Sequence, residues 1–186
     1  MKIEIISGSH RNPSSSFRVA LHLQKQLQGK TDHEVGLIDV RDHILPPVQN
    51  VFLAPNLAPE QFRDLATRMF EAQAFILVTP EYNGSYTSDL KNLLDHFPKQ
   101  SRKVFGLVTA SPGALGGMRA AMQLQQLVYA LFGIGSPYML VTPQVEKKFD
   151  AEGNLLDESF GKSIDVFTNE FIWLAEKVID EKVVIA

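Results

Sequence analysis

The sequence contains no cysteine. That absence excludes a disulfide framework, a thiolate nucleophile and any zinc or iron–sulfur site ligated by cysteine. Charge of one sign is also scarce. The 18 basic and 21 acidic residues leave a formal net charge of −3, and no basic stripe supplies the electrostatic footprint of a nucleic-acid binder. No apolar run approaches the roughly 20 residues a helix needs to cross a bilayer. The N-terminus lacks a basic segment followed by an apolar one, so no signal peptide is expected, and the chain is expected in the cytoplasm. His10, His22, His33, His43 and His96 are scattered without metal-ligand spacing, so no metal site is expected. The Gly-x4-Gly-Lys-Ser/Thr loop of nucleotide hydrolases is missing too.

What remains is an ordinary globular composition. The chain has 186 residues, 45% hydrophobic and 21% charged, which suits one domain spanning residues 1–186. Strand and helix patterns alternate along it. The apolar run Ile3-Glu4-Ile5-Ile6 reads as a strand, and Ser16 to Leu27 as a helix with Phe17, Ala20, Leu21 and Leu27 on its apolar side. Glu34 to Val40 reads as a second strand. The proline-rich stretch Leu45 to Pro59 is too long for a plain connection and is expected to line or cover something. A helix follows from Pro59-Glu60, burying Phe62, Leu65, Ala66 and Met69. Ala74 to Thr79 and Val104 to Thr109 are nearly continuous apolar runs, as in strands covered on both faces. Leu90, Leu93, Leu94 and Phe97 fit a helix, as does Met118 to Phe132. Tyr138 to Thr142 makes a last strand between Pro137 and Pro143. A closing helix carries Phe160, Ile164, Phe167, Phe171, Leu174 and Val178 as one stripe. The stretch from Phe149 to Asn154 reads as a turn or small hairpin.

Five strands alternating with helices imply an α/β fold, a parallel sheet wrapped on both faces with right-handed crossovers. Ligands in such sheets sit beyond the carboxyl ends of the strands, near the switch in strand order. The segments leaving strands one, three and four are therefore expected to face one site. They are Ser9 to Phe17, Pro80 to Asp89, and Ser111 to Gly117. The first combines hydroxyls, one arginine and a helix start, which together cradle an anion such as a phosphate. The second, Pro80-Glu81-Tyr82-Asn83-Gly84-Ser85-Tyr86, offers two aromatics, an amide and exposed N–H groups for a flat heteroaromatic ring. The third, Ser111-Pro112-Gly113-Ala114-Leu115-Gly116-Gly117, lets backbone approach a planar ligand closely. Each alone could serve only to turn the chain. Together they favour a mononucleotide with its phosphate at the first loop.

These residues resemble the NAD(P)H-dependent FMN reductases of the flavodoxin-like superfamily. The resemblance rests on Gly8-Ser9-x-Arg11-x-x-Ser14-x-Ser16, on Pro80-Glu81-Tyr82-Asn83-Gly84-Ser85 with Leu90-Lys91-Asn92, and on Ser111-Pro112-Gly113 with Gly116-Gly117-x-Arg119-Ala120. It implies a three-layer sandwich with a five-stranded sheet in the order 2-1-3-4-5. It also implies noncovalent FMN, its phosphate on Ser9, Arg11, Ser14, Ser16 and the Phe17 backbone. The ring would lie against Pro80, Glu81, Tyr82, Asn83 and Gly84, and against Ser111, Pro112, Gly113 and Gly116. NADPH or NADH would be the co-substrate and a flavin, quinone, azo dye or similar small molecule the acceptor. No acid–base residue is implied, because the cofactor carries the chemistry. Relatives are commonly homodimers or homotetramers, and here the helix around Leu93 to Phe97 or the proline-rich stretch could form the interface. One departure is Thr87-Ser88, where many relatives have Pro-Gly. It bears on the turn entering the helix rather than on the ring contacts before it.

Several residues also have plainer readings. His10 reads as a solvent-facing spacer, Glu81 as a cap or support of its loop, and Lys147 with Lys148 as a charged face. Arg119 fits either a solvated helix start or a contact to the NADPH pyrophosphate or a neighbouring subunit. Two rival functions share the fold: a flavodoxin-like electron carrier, usually more acidic than this chain, and an FMN-binding regulatory protein without NAD(P)H turnover.

Overall fold

A computed structural model describes residues 1–180 of the chain. Four parallel strands form the sheet's centre: β1 (Lys2–Ser7), β2 (Glu34–Asp39), β3 (Ala74–Pro80) and β4 (Val104–Ala110). Ile5 lies opposite both Leu37 and Ile76, which fixes the register across the middle. The fifth position is split. β5 (Ile134–Gly135) pairs with Val104 and Phe105, and β6 (Leu140–Thr142) pairs with Val108 to Ala110, both along the same edge of β4. The order is thus 2-1-3-4-5, as expected, with β6 a short extra strand. The apolar pattern at Tyr138 to Thr142 covers only β6. Pro137 has no N–H to donate to the ladder, and proline is confined to sheet edges and breaks for that reason.

Helices cover both faces. On one lie α1 (Ser15–Lys30) and α6 (Gly161–Asp180), and on the other α2 (Arg63–Glu71), α3 (Ser88–Asp95) and α4 (Met118–Ala130). The strands divide their side chains between the two cores with period two. Ile76 and Val78 of β3 meet the α1–α6 side, while Phe75 and Leu77 meet the other. The stripe of α6 seats Phe167 and Phe171 over Gly106, where an added Cβ would lie 2.9 Å from one ring and 3.0 Å from the other. Burying each such ring stabilises the fold by about 2–3 kcal/mol. A short helix, α5 (Val145–Lys148), follows β6, and Phe149 closes a small antiparallel bridge with Leu155.

The proline-rich stretch folds over α3. Asn92 Nδ2 donates to the Leu45 and Pro46 carbonyls at 3.1 and 3.0 Å, and the Phe52 N–H donates to His96 O at 2.7 Å. Phe52 then packs among Phe62, His96 and Phe97. Leu93, Leu94 and Phe97 are buried in this core. That corrects the expectation of an interface around Leu93 to Phe97, because the apolar side of α3 is spent inside the molecule. No helix among the described residues is long and apolar enough to cross a membrane.

The chain leaves β1 for β2 on one side and returns to β3 on the other. This reversal opens a crevice beyond the carboxyl ends of β1 and β3.

Candidate active site

The first loop ends in a buried cap. Ser14 is the N-cap of α1, and its Oγ accepts the Phe17 N–H at 3.2 Å while meeting Ser16 Oγ at 3.2 Å. Ser9, also buried, accepts the Arg11 N–H at 3.4 Å and lies 3.4 Å from the Tyr82 hydroxyl. The first turn of α1 holds no acidic residue, so the positive end of its dipole is not neutralised from within the helix. Arg11 lies with its guanidinium carbon 4.3 Å from the Tyr82 ring centroid. Arg18, one turn further along α1, donates to Phe149 O at 3.2 Å. His10 points elsewhere, its Nδ1 3.9 Å from Asp89 Oδ1.

The second loop is a tight reversal. Tyr82 and Ser85 exchange backbone hydrogen bonds of 2.9 and 3.1 Å, and Asn83 and Gly84 between them have φ of +50° and +83°. Asn-Gly suits a two-residue turn that needs positive φ at both positions. The reversal presents Tyr82 to the crevice. Tyr86, the other aromatic of the segment, packs instead against the core under α3, where burial pushes its phenol up. The Thr87-Ser88 departure has a clear structural outcome. Thr87 is the N-cap of α3, accepting the Leu90 N–H at 3.2 Å, and its hydroxyl donates to the Gly8 carbonyl. This threonine therefore ties the second loop to the first. Glu81 serves a third element, since its Oε2 accepts the Arg119 N–H at 3.1 Å in the first turn of α4. Gly117, the N-cap there, has no side chain to do so.

The third loop is held from β6. The Ser111 N–H donates to Thr142 O at 3.0 Å, and the Gly113 N–H to Ser111 Oγ at 3.1 Å. Gly116 and Gly117 have φ of +62° and +88°. A Cβ at Gly116 would fall 2.6 Å from Val141 Cγ1, and one at Gly117 2.9 Å from Thr109 Cβ. Both glycines let the loop fold back onto the sheet.

The three loops enclose one cavity of about 640 Å³, within the range of cofactor pockets. Ser9, Arg11, Ser14 and Ser16 line it from the first loop. Pro80, Glu81, Tyr82 and Asn83 line it from the second, and Ser111 and Pro112 from the third. Phe17, Gly84, Gly113 and Gly116 do not line it: the Phe17 N–H is taken by Ser14 Oγ and its ring lies under Arg41, Gly84 and Gly116 hold positive φ in their turns, and the Gly113 N–H is bound to Ser111 Oγ. Pro13, Ser15, Arg18, Ala110 and Glu146 also line the cavity and were not singled out from the sequence. Arg18 was legible, since it sits about one helical turn beyond Ser14. Glu146 carried no signal, because α5 is only four residues long. One end of the cavity is thus hydroxyls, two guanidinium groups, a helix start and the Glu146 carboxylate, and the other is tyrosine, asparagine, proline and the Glu81 carboxylate that caps α4. That is the donor set for a phosphate monoester joined to a flat ring. No group of acidic or histidine residues among the described ones could hold a metal ion.

Fold and cavity together define a flavodoxin-like protein with a polar cavity at the switch point of its sheet. The chain belongs to the NADPH-dependent FMN reductase family, whose profile matches residues 1–144. It is 28% identical to an FMN-dependent NADPH-azoreductase of Staphylococcus saprophyticus over 179 residues, 92% of this chain and 94% of the relative. Among solved structures it resembles FerB, a flavoenzyme NAD(P)H:(acceptor) oxidoreductase from Paracoccus denitrificans, with a TM-score of 0.80 and 26% identity over 95% of this chain and 97% of that one. It shares its fold with an FMN-dependent NADH-azoreductase from Bacillus anthracis solved with FMN, at a TM-score of 0.57 and 15% identity over 91% of this chain and 99% of that one.

Proposed function

We propose that this protein is an FMN-containing oxidoreductase that takes a hydride from NADPH or NADH and passes electrons to a small acceptor of the quinone, azo or free-flavin type. The observation that carries the reading is the convergence of the hydroxyl–arginine loop and the Tyr82 and Ser111 loops on one cavity. Bound FMN supplies hydride acceptance at N5 and onward electron delivery. The chain's own tasks are binding and orientation. Ser9, Ser14, Ser16, Arg11 and Arg18 hold the phosphate, with the N-terminal N–H groups of α1 behind them. Tyr82, Asn83, Ser111 and Pro112 position the ring, backed by the Gly84 and Gly113 turns.

The same reading treats residues 1–186 as one FMN-binding domain in the cytoplasm, where reduced nicotinamide is produced. It includes a homodimer or homotetramer. Met118, Met122 and Tyr129 form an exposed apolar row on α4, beside exposed Leu115 and Phe132, and a second copy is a fitting cover for it. Anaerobic addition of NADPH or NADH to FMN-loaded protein tests the function. Bleaching of the flavin, followed by reoxidation with a quinone or azo dye, is expected. A loaded protein that neither nicotinamide reduces would be an electron carrier or a regulatory flavoprotein instead.

A further inference from the structure

Besides Glu81, which is committed to capping α4, Glu146 is the only carboxylate among the described residues that lines the cavity. It stands at the phosphate end, where Ser15 Oγ donates to Glu146 Oε1 at 3.3 Å. Its position is fixed from below. The Val145 N–H donates to Ser111 O at 3.2 Å and the Gln144 N–H to Gly113 O at 3.3 Å, while the Val145 side chain is fully buried. A short helix anchored on the third loop thus reaches across to the first residue of α1 and closes the rim with a negative charge. A carboxylate there is at odds with a site that otherwise gathers positive groups. It makes sense as a limit on what lies beyond the first phosphorus.

We propose that Glu146, held by Ser15, sets the preference of this site for the phosphate monoester of FMN over the diphosphate ester of FAD; this rests on the cavity taking a flavin phosphate. A monoester ends inside the cradle, its charge met by Arg11, Arg18 and the start of α1. A diphosphate continues from the same phosphorus and would bring a second negative charge to this end of the cavity, where the Ser15–Glu146 pair stands. Glu146 therefore acts by exclusion, through like charge and bulk together.

The test is a titration of flavin-free protein with FMN and with FAD, followed by flavin fluorescence. Glu146→Gln keeps the size and removes the charge, and Glu146→Ala removes both. Because Glu146 is exposed, both variants are expected to keep the thermal midpoint of the parent. The ratio of the FAD to the FMN dissociation constant is expected to fall by about three- to tenfold in Glu146→Gln, the scale of two unit charges about 4 Å apart under water-like screening at an open rim. It is expected to fall further in Glu146→Ala. The Glu146→Gln effect should shrink in high salt, as a rim charge requires. Parent protein that binds FMN, with a ratio unchanged in both variants, would overturn the inference alone. Parent protein that binds neither flavin would overturn the cofactor reading and this inference with it.

Discussion

A Cβ at Gly8 would fall 2.9 Å from Leu90 Cβ and 3.3 Å from the Val78 carbonyl, so the end of β1 and the start of α3 are in contact at the point where the first two loops separate. Thr87 uses that proximity, since one hydroxyl caps α3 and also satisfies the Gly8 carbonyl. Thr87→Val keeps the shape and removes both bonds. It is expected to cost about 1–2 kcal/mol, read as a lower urea midpoint, with Thr87→Ser recovering most of it. A second residue sets a pH dependence. His22 is held below the ordinary histidine range by burial, which outweighs the bond between its Nδ1 and the Gly153 carbonyl at 2.9 Å. The unfolded chain therefore takes up this proton before the folded one does. Its contribution is fully present above about pH 6.5, is lost as pH falls from there towards the folded value, and levels off below it. His43, also lowered first by burial, adds in the same direction. His22→Gln should flatten the fall of the thermal midpoint on acidification, and an unchanged slope would assign that fall to other groups.

Between elements, the informative link is Glu81, which leaves β3 and caps α4. Its guanidinium contact with Arg119 is 3.5 Å and largely exposed on the arginine side, so it adds little. The cap carries the effect. Glu81→Ala is expected to cost about 1 kcal/mol and to show faster amide hydrogen exchange in the first turn of α4. Arg119→Ala, which keeps the backbone N–H, should leave that exchange unchanged. The sequence suggested Glu81 only as a cap or support of its own loop, not as a cap of α4; the three loops themselves were legible. The composition of each loop, rich in Gly, Ser, Asn and Pro, is that of any turn; the signal was its recurrence after strands one, three and four of a parallel sheet, where the topology brings the loops together. Elements without periodicity were not legible. α5 is too short to show a 3.6-residue repeat, and with it Glu146 was missed. β5 has only two residues, and its pairing depends on the tertiary position of β4. The inward turn of Tyr86 depends on the Asn83-Gly84 reversal, which sends Tyr82 one way and the following residues the other.

For the whole molecule, the cofactor reading has a thermodynamic consequence that needs no turnover. A ligand that binds only the folded state stabilises it by about 2.7 kcal/mol at a concentration 100 times its dissociation constant. For a domain of this size each kcal/mol raises the thermal midpoint by about 2–4 °C, so saturating FMN should raise it by about 5–11 °C. Riboflavin, which lacks the phosphate, leaves Ser9, Ser14, Ser16 and Arg11 without their ligand and should give a much smaller rise at equal concentration. Arg11 allows a clean separation. It is exposed and makes its side-chain contact over the Tyr82 ring, so Arg11→Gln should leave the flavin-free midpoint within about 1 °C of the parent, as surface substitutions generally do. Loss of a charge-assisted bond to phosphate should weaken FMN by about tenfold or more, while riboflavin should bind parent and variant alike. Equal shifts with FMN and riboflavin in the parent would place the phosphate outside the cradle at the start of α1, and the site would then have to be rebuilt from the ring end alone.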